Sequence, residues 1–323
     1  MKPLSNKNPH DDFTGRCIAH WTKERLTKLV GQHKYHVLPT NAPLLLRTLG
    51  LLNSDASMSA DSTRKFIQIN HLLTQFKPFL EDLNQRHKRV RILDAGCGSS
   101  FLTFILAWAY KELWKHDALL IGVDTNENLI NKNKTSAASM SIDHLIKFSK
   151  STISDINWMK LLAEFSEDVP DDPKKSRPHA VVALHACDTA TDDAIALGIQ
   201  LQADFIAVAP CCQAELARQW KDLGDKKLEH PLSPAFKNPH LRRELAAHFT
   251  DLARVLILRG YGYEVTTTEF TMSHATPKNT LILAVRRGAF LAQAQEDYQK
   301  LTNWLGGCQI SLASKISAMP QQY

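Results

Sequence analysis

Residues 90–100 read VRILDAGCGSS, and what lies on either side of this stretch decides the fold. VRILDA is a short apolar run that stops at a turn holding Gly96 and Gly98, so it reads as a strand. SFLTFILAWAYKELW (100–114) follows, with the length and apolar content of a helix. Glycines between a strand and a helix let the backbone come close to a ligand and take positive φ, which side chains block. A dinucleotide fingerprint would read G-x-G-x-x-G, but Phe101 stands where its third glycine belongs. What remains is D-x-G-x-G, running from Asp94 through Gly96 to Gly98. A second strand, ALLIGVDTN (118–126), carries Asp124 near its end, where an acid can accept hydrogen bonds from both ribose hydroxyls of a nucleoside. The plainer reading is a tight turn, with Asp124 as a helix cap. Turn, acid and a further acid after the third strand, Asp155, occurring in that order favour a bound nucleoside cofactor.

The pattern continues outward from this unit. NENLINKNKTSAASM reads as a helix and IKFSKSTISDI as a weaker third strand. AVVALHAC (180–187) and DFIAVAPCC (204–212) read as strands separated by the helix TATDDAIALGIQLQ. After a polar insertion, LRRELAAHFTDLARVLILRGYG is a helix closed by glycine, and YEVTTTEFTM and NTLILAVRR are two closing strands. Alternating strands and helices predict a doubly wound, mostly parallel α/β sheet, and two late strands joined without a helix predict an antiparallel pair at one edge. Residues 18–85 are mostly helical: Phe66, Ile69, Leu72, Leu73, Phe76 and Phe79 recur at helical spacing, and Asp61 or Ser62 caps that helix. Pro78 predicts a kink or break in it. The expected organisation is a helical N-terminal extension (1–85), a cofactor-binding α/β domain (86–290) and a helical C-terminal tail (291–323).

Composition limits the classes open to the chain. With 323 residues, 44% hydrophobic and 22% charged, it is an ordinary globular sequence rather than a disordered one. No apolar stretch approaches the ~20 residues of a membrane helix, and the first residues lack the apolar core of a secretory signal. Six scattered cysteines fit a reducing compartment, so a cytoplasmic location and no disulfide framework are expected. The net charge of +6 is compatible with a polyanionic partner without requiring one. Oligomeric state is not legible in the sequence.

Two segments, LHACDTATDD (184–193) and VAPCCQAE (208–215), follow apolar strands, whose carboxyl ends line the ligand crevice in doubly wound folds. His185, Cys187, Cys211 and Cys212 are therefore expected on one rim. Cys211 or Cys212 acting as a nucleophile requires a depressed pKa that nothing in the sequence demonstrates. One histidine and three cysteines suit zinc in type, but the spacing lacks a CxxC pair and no metal is expected. Packing at a crowded strand end, or the shaping of an acceptor pocket without covalent chemistry, are the remaining readings. His185 and Asp188 are candidate acid/base groups, beside the commoner fate of a satisfied rim histidine.

The glycine turn with its acids resembles the nucleoside-binding turn of class I S-adenosylmethionine (SAM) methyltransferases. HACDTATDDAIALG, APCC, YGYEV and HATPKNTLILAV together make the chain similar to the methyltransferase domain-32 family, of the methyltransferase-like 25 type. More distantly it is similar to acceptor-stem tRNA 2′-O-methyltransferases, which carry His-x-Cys-G-x-A-T-D and Cys-Cys-His segments. Asp188 and Gln213 stand at the departures from those segments, in the zone expected to meet the substrate. The resemblance implies a Rossmann-like, seven-stranded class I methyltransferase sheet with an antiparallel edge strand. It places Asp94, Gly96 and Gly98 beside the methionine part of SAM and Asp155 beside the adenine amino group, with Lys65 and Gln68 closing over the cofactor. Lys278 and Asn279, in HATPKN (274–279), become substrate-side residues, with Lys278 a cation for phosphate. Lys65 and Gln68 on a solvated helix face, and Pro277 and Asn279 in an ordinary turn, are the bland readings of those positions. The expected activity is methyl transfer from SAM to a macromolecule, with RNA (tRNA or rRNA) the leading acceptor. Methylation of a protein side chain is one alternative, and a non-catalytic SAM- or RNA-binding module is another.

Overall fold

The computed structural model describes residues 9–166, 169–170, 172–184, 186, 188–210, 213–226, 229–269 and 280–317. The described residues begin with three short helices, α1 (Pro9–His20), α2 (Lys23–Val30) and α3 (Pro43–Thr48), and the long helix α4 (Ala60–Arg86). Then come β1 (Arg89–Ala95), α5 (Phe101–Trp108) running on into a π-helical turn (Ala109–Trp114), β2 (Asp117–Asp124), α6 (Glu127–Ser139) and β3 (Ile146–Lys150). Helices α7 (Trp158–Phe165) and α8 (Pro173–Ser176) lead to β4 (Ala180–Ala183), α9 (Thr189–Gln200) and β5 (Phe205–Val208). An insertion of α10 (Glu215–Asp225) and α11 (Ser233–Lys237) precedes α12 (Pro239–Gly260), and the hairpin strands β6 (Tyr263–Glu269) and β7 (Thr280–Arg286) follow. Helices α13 (Ala292–Trp304) and α14 (Ser311–Ser317) end the described chain.

The strands form one seven-stranded sheet in the order β3-β2-β1-β4-β5-β7-β6. β1 to β5 pair in parallel, and the apolar runs of the interior strands β1, β4 and β5 are buried on both faces, as interior parallel strands require. The late hairpin closes the sheet, with one refinement of the sequence reading. β7 inserts antiparallel between β5 and β6, so the antiparallel strand is second from the edge and the outermost strand β6 runs with the parallel set. The register sets Asp94 opposite Gly122 and Val182, Val123 opposite Ser149, and Ala183 opposite Val208, so five carboxyl ends share one rim.

Alternate residues of β1 face opposite cores, as period-two side chains must. Val90 and Ile92 join α4, α5 and the N-terminal helices on one face, while Leu93 and Ala95 join α7, α9, α12 and the C-terminal helices on the other. The first face is continuous from Phe13 to Val285, so the N-terminal helices share the core of the sheet. Pro78 does not break α4, which runs on through it to Arg86. Phe76 and Phe79 on either side of it clamp the Phe205 ring at 5.8 and 4.9 Å, and this packing outweighs the missing backbone hydrogen bond. At the far end of the strands Asp204 accepts from Arg177 at 2.9 Å, with Arg86 at 3.3 Å and His87 at 3.4 Å, and its carboxyl is held well below the usual range despite burial.

Gly122 lies where β2 is squeezed between the Phe148 ring and the glycine turn. A Cβ there would come within 2.8 Å of Phe148 and 3.1 Å of Cys97 Sγ. Gly122→Ala is therefore expected to destabilise the fold by roughly 1–3 kcal/mol in chemical denaturation, through overpacking beneath the turn.

Candidate functional site

The turn after β1 is tied down from two sides. The Val123 carbonyl of β2 accepts from both the Gly96 and Cys97 N–H groups, at 2.8 and 2.9 Å. Gly98 N–H donates to Asp124 Oδ2 at 2.8 Å, while Asn126 N–H donates to Asp124 Oδ1 at 2.8 Å. From α6, the buried Asn133 amide donates to the Gly98 carbonyl at 2.9 Å and to Ser100 Oγ at 2.7 Å. Gly96 and Gly98 both have positive φ, at 78° and 52°, which glycine takes without steric cost. A Cβ on Gly96 would approach Ile153 Cδ1 at 3.7 Å and Ala186 Cβ at 3.8 Å, so the segments after β1, β3 and β4 converge on one point.

The electrostatics of this point are acidic. Asp94 is 4% exposed, and its carboxylate accepts from the Thr103 hydroxyl at 2.5 Å. Burial pushes its pKa up to about 7 and the nearby Asp124 charge adds to the rise, with the Thr103 hydrogen bond opposing both. Among the described residues Asp94 has no ion-pair partner. The Gly98 N–H, which in a phosphate-binding turn would face the ligand, is taken by Asp124. The arrangement therefore disfavours a phosphate and favours a nucleoside that brings positive charge.

The segments after β4 and β5 meet beside it. Thr191 Oγ1 donates to the Ala186 carbonyl at 2.6 Å, which fixes the bend between β4 and α9. Asp188 sits at φ 51° and ψ −116°, a conformation natural to glycine. Both of its carboxylate oxygens are engaged: Ala214 N–H donates to one at 3.0 Å and Arg218 to the other at 3.1 Å. Gln213, 4% exposed, donates its amide NH2 to both oxygens of Asp251 at 3.1 Å. His185, Cys187, Cys211 and Cys212 lie outside the described residues, as do Lys278 and Asn279.

The remaining expected site residues are scattered. Asp155 is exposed and accepts from Thr152 Oγ1 at 2.6 Å, in the same loop that delivers Ile153 to the turn. Lys65 is exposed and Gln68 half-buried near the start of α4, which reaches the end of β6 through His71 Nε2 and the Glu269 carbonyl at 3.1 Å. No described hydrogen bond joins Lys65 or Gln68 to the turn. Thr103, Asn133 and Ile153 shape the site and were missed by sequence reasoning. Only Asn133 left a signal there, as a polar residue on the inward face of an amphipathic helix. Among the described residues no group of three or more His, Cys, Asp or Glu is arranged to hold a metal ion, and no helix is long and apolar enough to cross a membrane.

The strand order, with its single antiparallel strand inserted next to last, and an acidic glycine turn at the end of β1 define a class I methyltransferase fold. A family model described as a methyltransferase domain matches residues 64–219. No curated protein sequence matches the chain. Similar solved structures include the METTL16 methyltransferase domain, at 16% identity and TM-score 0.41 over 76% of this chain and 77% of that one. A geranyl diphosphate methyltransferase in complex with GPP and sinefungin matches at 12% identity and TM-score 0.42, over 86% and 99%. The SAH-bound Podospora anserina methyltransferase PaMTH1 matches at 10% and 0.42, over 89% and 99%. The fold's methyl donor, SAM, is a nucleoside with a sulfonium and an ammonium and no phosphate, which fits the acidic turn described above.

Two outcomes are expected. The folded-state pKa of Asp94 lies above its unfolded value of 3.8, so its protonated form stabilises the cofactor-free protein at low pH. That contribution is lost as pH rises through about 7, so relative to Asp94→Asn the cofactor-free wild type loses stability across pH 4–8, by on the order of a few kcal/mol. SAM, being cationic, binds the ionised carboxylate better, so its affinity measured by calorimetry rises over pH 6–8 in wild type and stays flat in Asp94→Asn. Separately, Asp188→Ala keeps a side chain at a strained φ and loses both ties, whereas Asp188→Gly loses the ties alone. Thermal unfolding should find the glycine variant the more stable of the two by about 1 kcal/mol.

Proposed function

We propose that this chain is a SAM-dependent methyltransferase acting on RNA, either tRNA or rRNA. The donor half of the reading is carried by the paired acids Asp94 and Asp124 on a glycine turn whose inner N–H is already used. Asp94 meets the methionine ammonium, Asp124 keeps free lone pairs for the ribose hydroxyls, and Gly96 leaves room for the cofactor between Ile153 and Ala186. Asp155, Lys65 and Gln68 are proposed to close the adenine side and the mouth of the cofactor site. Methyl transfer is an in-line displacement at the sulfonium carbon, so the protein's task is to align the acceptor atom and receive its proton. His185 is the proposed proton acceptor. Asp188, with both oxygens engaged, is proposed to hold the loop rather than to move a proton. Cys211, Cys212, Lys278 and Asn279, which lie outside the described residues, are proposed to act on the acceptor side.

The acceptor half is supported by the surface next to the rim. Asp251 touches Gln213 at rim level, so the 12 residues of α12 before it extend about 18 Å beyond the sheet. There Lys237, His240 and Arg243 are exposed, and the described first turn of α12 holds no acid. Trp304 is 48% exposed, with its ring 5.5 Å from Phe249 and 6.3 Å from His230. Exposed Lys237 and Arg243 by the start of α12, together with an exposed aromatic packed on Phe249 of the same helix, suit a single-stranded or looped RNA. The test is methyl-labelled SAM incubated with purified protein and with RNA and protein fractions from cells lacking the gene. Label is expected in RNA and is expected to vanish in Asp94→Ala. Label in protein alone would transfer the reading to side-chain methylation, and label in neither fraction despite SAM binding would indicate a binding module.

A further inference from the structure

The described residues of the two segments that frame the acceptor side trace to one buried guanidinium. Arg254, on the inward face of α12, is 1% exposed. Its Nε donates to Asp192 Oδ1 at 2.7 Å, its Nη1 to Asp251 Oδ1 at 3.1 Å and its Nη2 to the Asp188 carbonyl at 3.1 Å. Each arm leads to a different part of the rim. The Asp188 carbonyl belongs to the segment after β4. Asp251 passes the restraint to the Gln213 amide, in the segment after β5, at 3.1 Å to each oxygen. Asp192 heads α9 and accepts Ser311 Oγ at 2.6 Å, while Ser311 N–H donates to Glu215 at 2.9 Å, which brings in α14 and the start of α10. The two segments are also pinned to each other through Ala214 N–H and Asp188 Oδ1 at 3.0 Å.

We propose that Arg254 is a positioning residue for methyl transfer: its three-armed contact with Asp192, Asp251 and the Asp188 carbonyl sets the spacing between the segments after β4 and β5, and hence the seat of the acceptor. The inference rests on the reading of that rim as the acceptor side. A planar guanidinium holds three partners at fixed angles, which a lysine ammonium on a flexible stem does not reproduce. Two aspartates face this one cation in a water-free position, so neither can turn away without stranding a buried charge. The glycine turn is built from β2, Asp124 and Asn133, none of which touches Arg254. Cofactor binding and acceptor geometry are thus held by separate sets of bonds, and a change at Arg254 separates them.

The experiment compares Arg254→Lys with wild type by hydrogen–deuterium exchange, SAM calorimetry and label transfer to RNA from cells lacking the gene. Exchange is expected to rise about tenfold, together, in peptides covering 183–190 and 209–216, and to stay unchanged in 94–104, because lysine satisfies one of the three partners. SAM affinity should stay within about twofold while transfer to RNA falls at least about tenfold, a turnover defect without a cofactor defect. In Arg254→Ala, added guanidinium chloride at a non-denaturing concentration should restore part of the transfer without restoring the melting temperature, which a merely structural arginine would not show. If the arginine variants fail to fold, Gln213→Met leaves the three Arg254 arms in place, removes the Gln213 amide from Asp251 and from the Pro210 carbonyl at 3.4 Å, and should raise exchange in 209–216 with SAM affinity kept. In the Arg254 variants, exchange rising in one segment only, or SAM affinity falling as far as turnover, overturns the proposal; so does unchanged exchange in 209–216 in Gln213→Met. Paired loosening of both segments, in a wild-type protein that labels no RNA, would uphold the role of Arg254 and refute the RNA reading instead.

Discussion

Two carboxylates close to one another at the ends of adjacent strands impose the condition that the rest of the structure satisfies. Asp94 and Asp124 repel, and one of them is out of water. The protein tolerates this because Thr103 donates to the buried acid and two backbone N–H groups donate to the other. These donors exist only because the turn is folded back on itself by Val123 and Asn133. A glycine at 122 then becomes necessary, since the strand below must leave room for Cys97 and Phe148. The register of β1 against β2 is what sets all of these atoms level.

Some of this was open to reading in the linear chain and some was not. Asp94, Gly96, Gly98 and Asp124 obey a local grammar, in which a strand must stop, a helix must start and an acid must follow the next strand. The alternation of apolar runs fixed the doubly wound sheet for the same reason. The insertion of β7 between β5 and β6 was not legible, because a hairpin signal tells which strands are joined and not which neighbour the second one takes. Nor was the continuity of α4 through Pro78, which depends on an aromatic residue of β5 far along the chain.

The same distinction separates the motif residues from their partners. Thr191 and Asp192 are conspicuous in HACDTATDD, and sequence reasoning assigned the chemistry of that stretch to His185 and Asp188. In the fold, Thr191 bends the loop and Asp192 anchors Arg254, 62 residues away in sequence. A buried arginine in the middle of an otherwise unremarkable helix carries no signature by itself; its meaning comes from three acceptors that only the fold assembles. Asn133 was hidden likewise, 35 residues from the carbonyl it holds.

The contact between Ser311 and Asp192 has a further consequence during synthesis. The glycine turn, its acids and β1 to β3 are complete within the first half of the chain, so that unit can begin to order while translation continues. The rim beside it receives its last ties from Ser311 and Lys315, the latter paired with Asp193. A ribosome has to translate beyond α14, and that helix has to clear the exit tunnel, before the rim can be fully braced. A nascent chain therefore passes through a stage in which the glycine turn has its partners and the start of α9 does not yet have its own, and the order of genetic decoding separates the two in time.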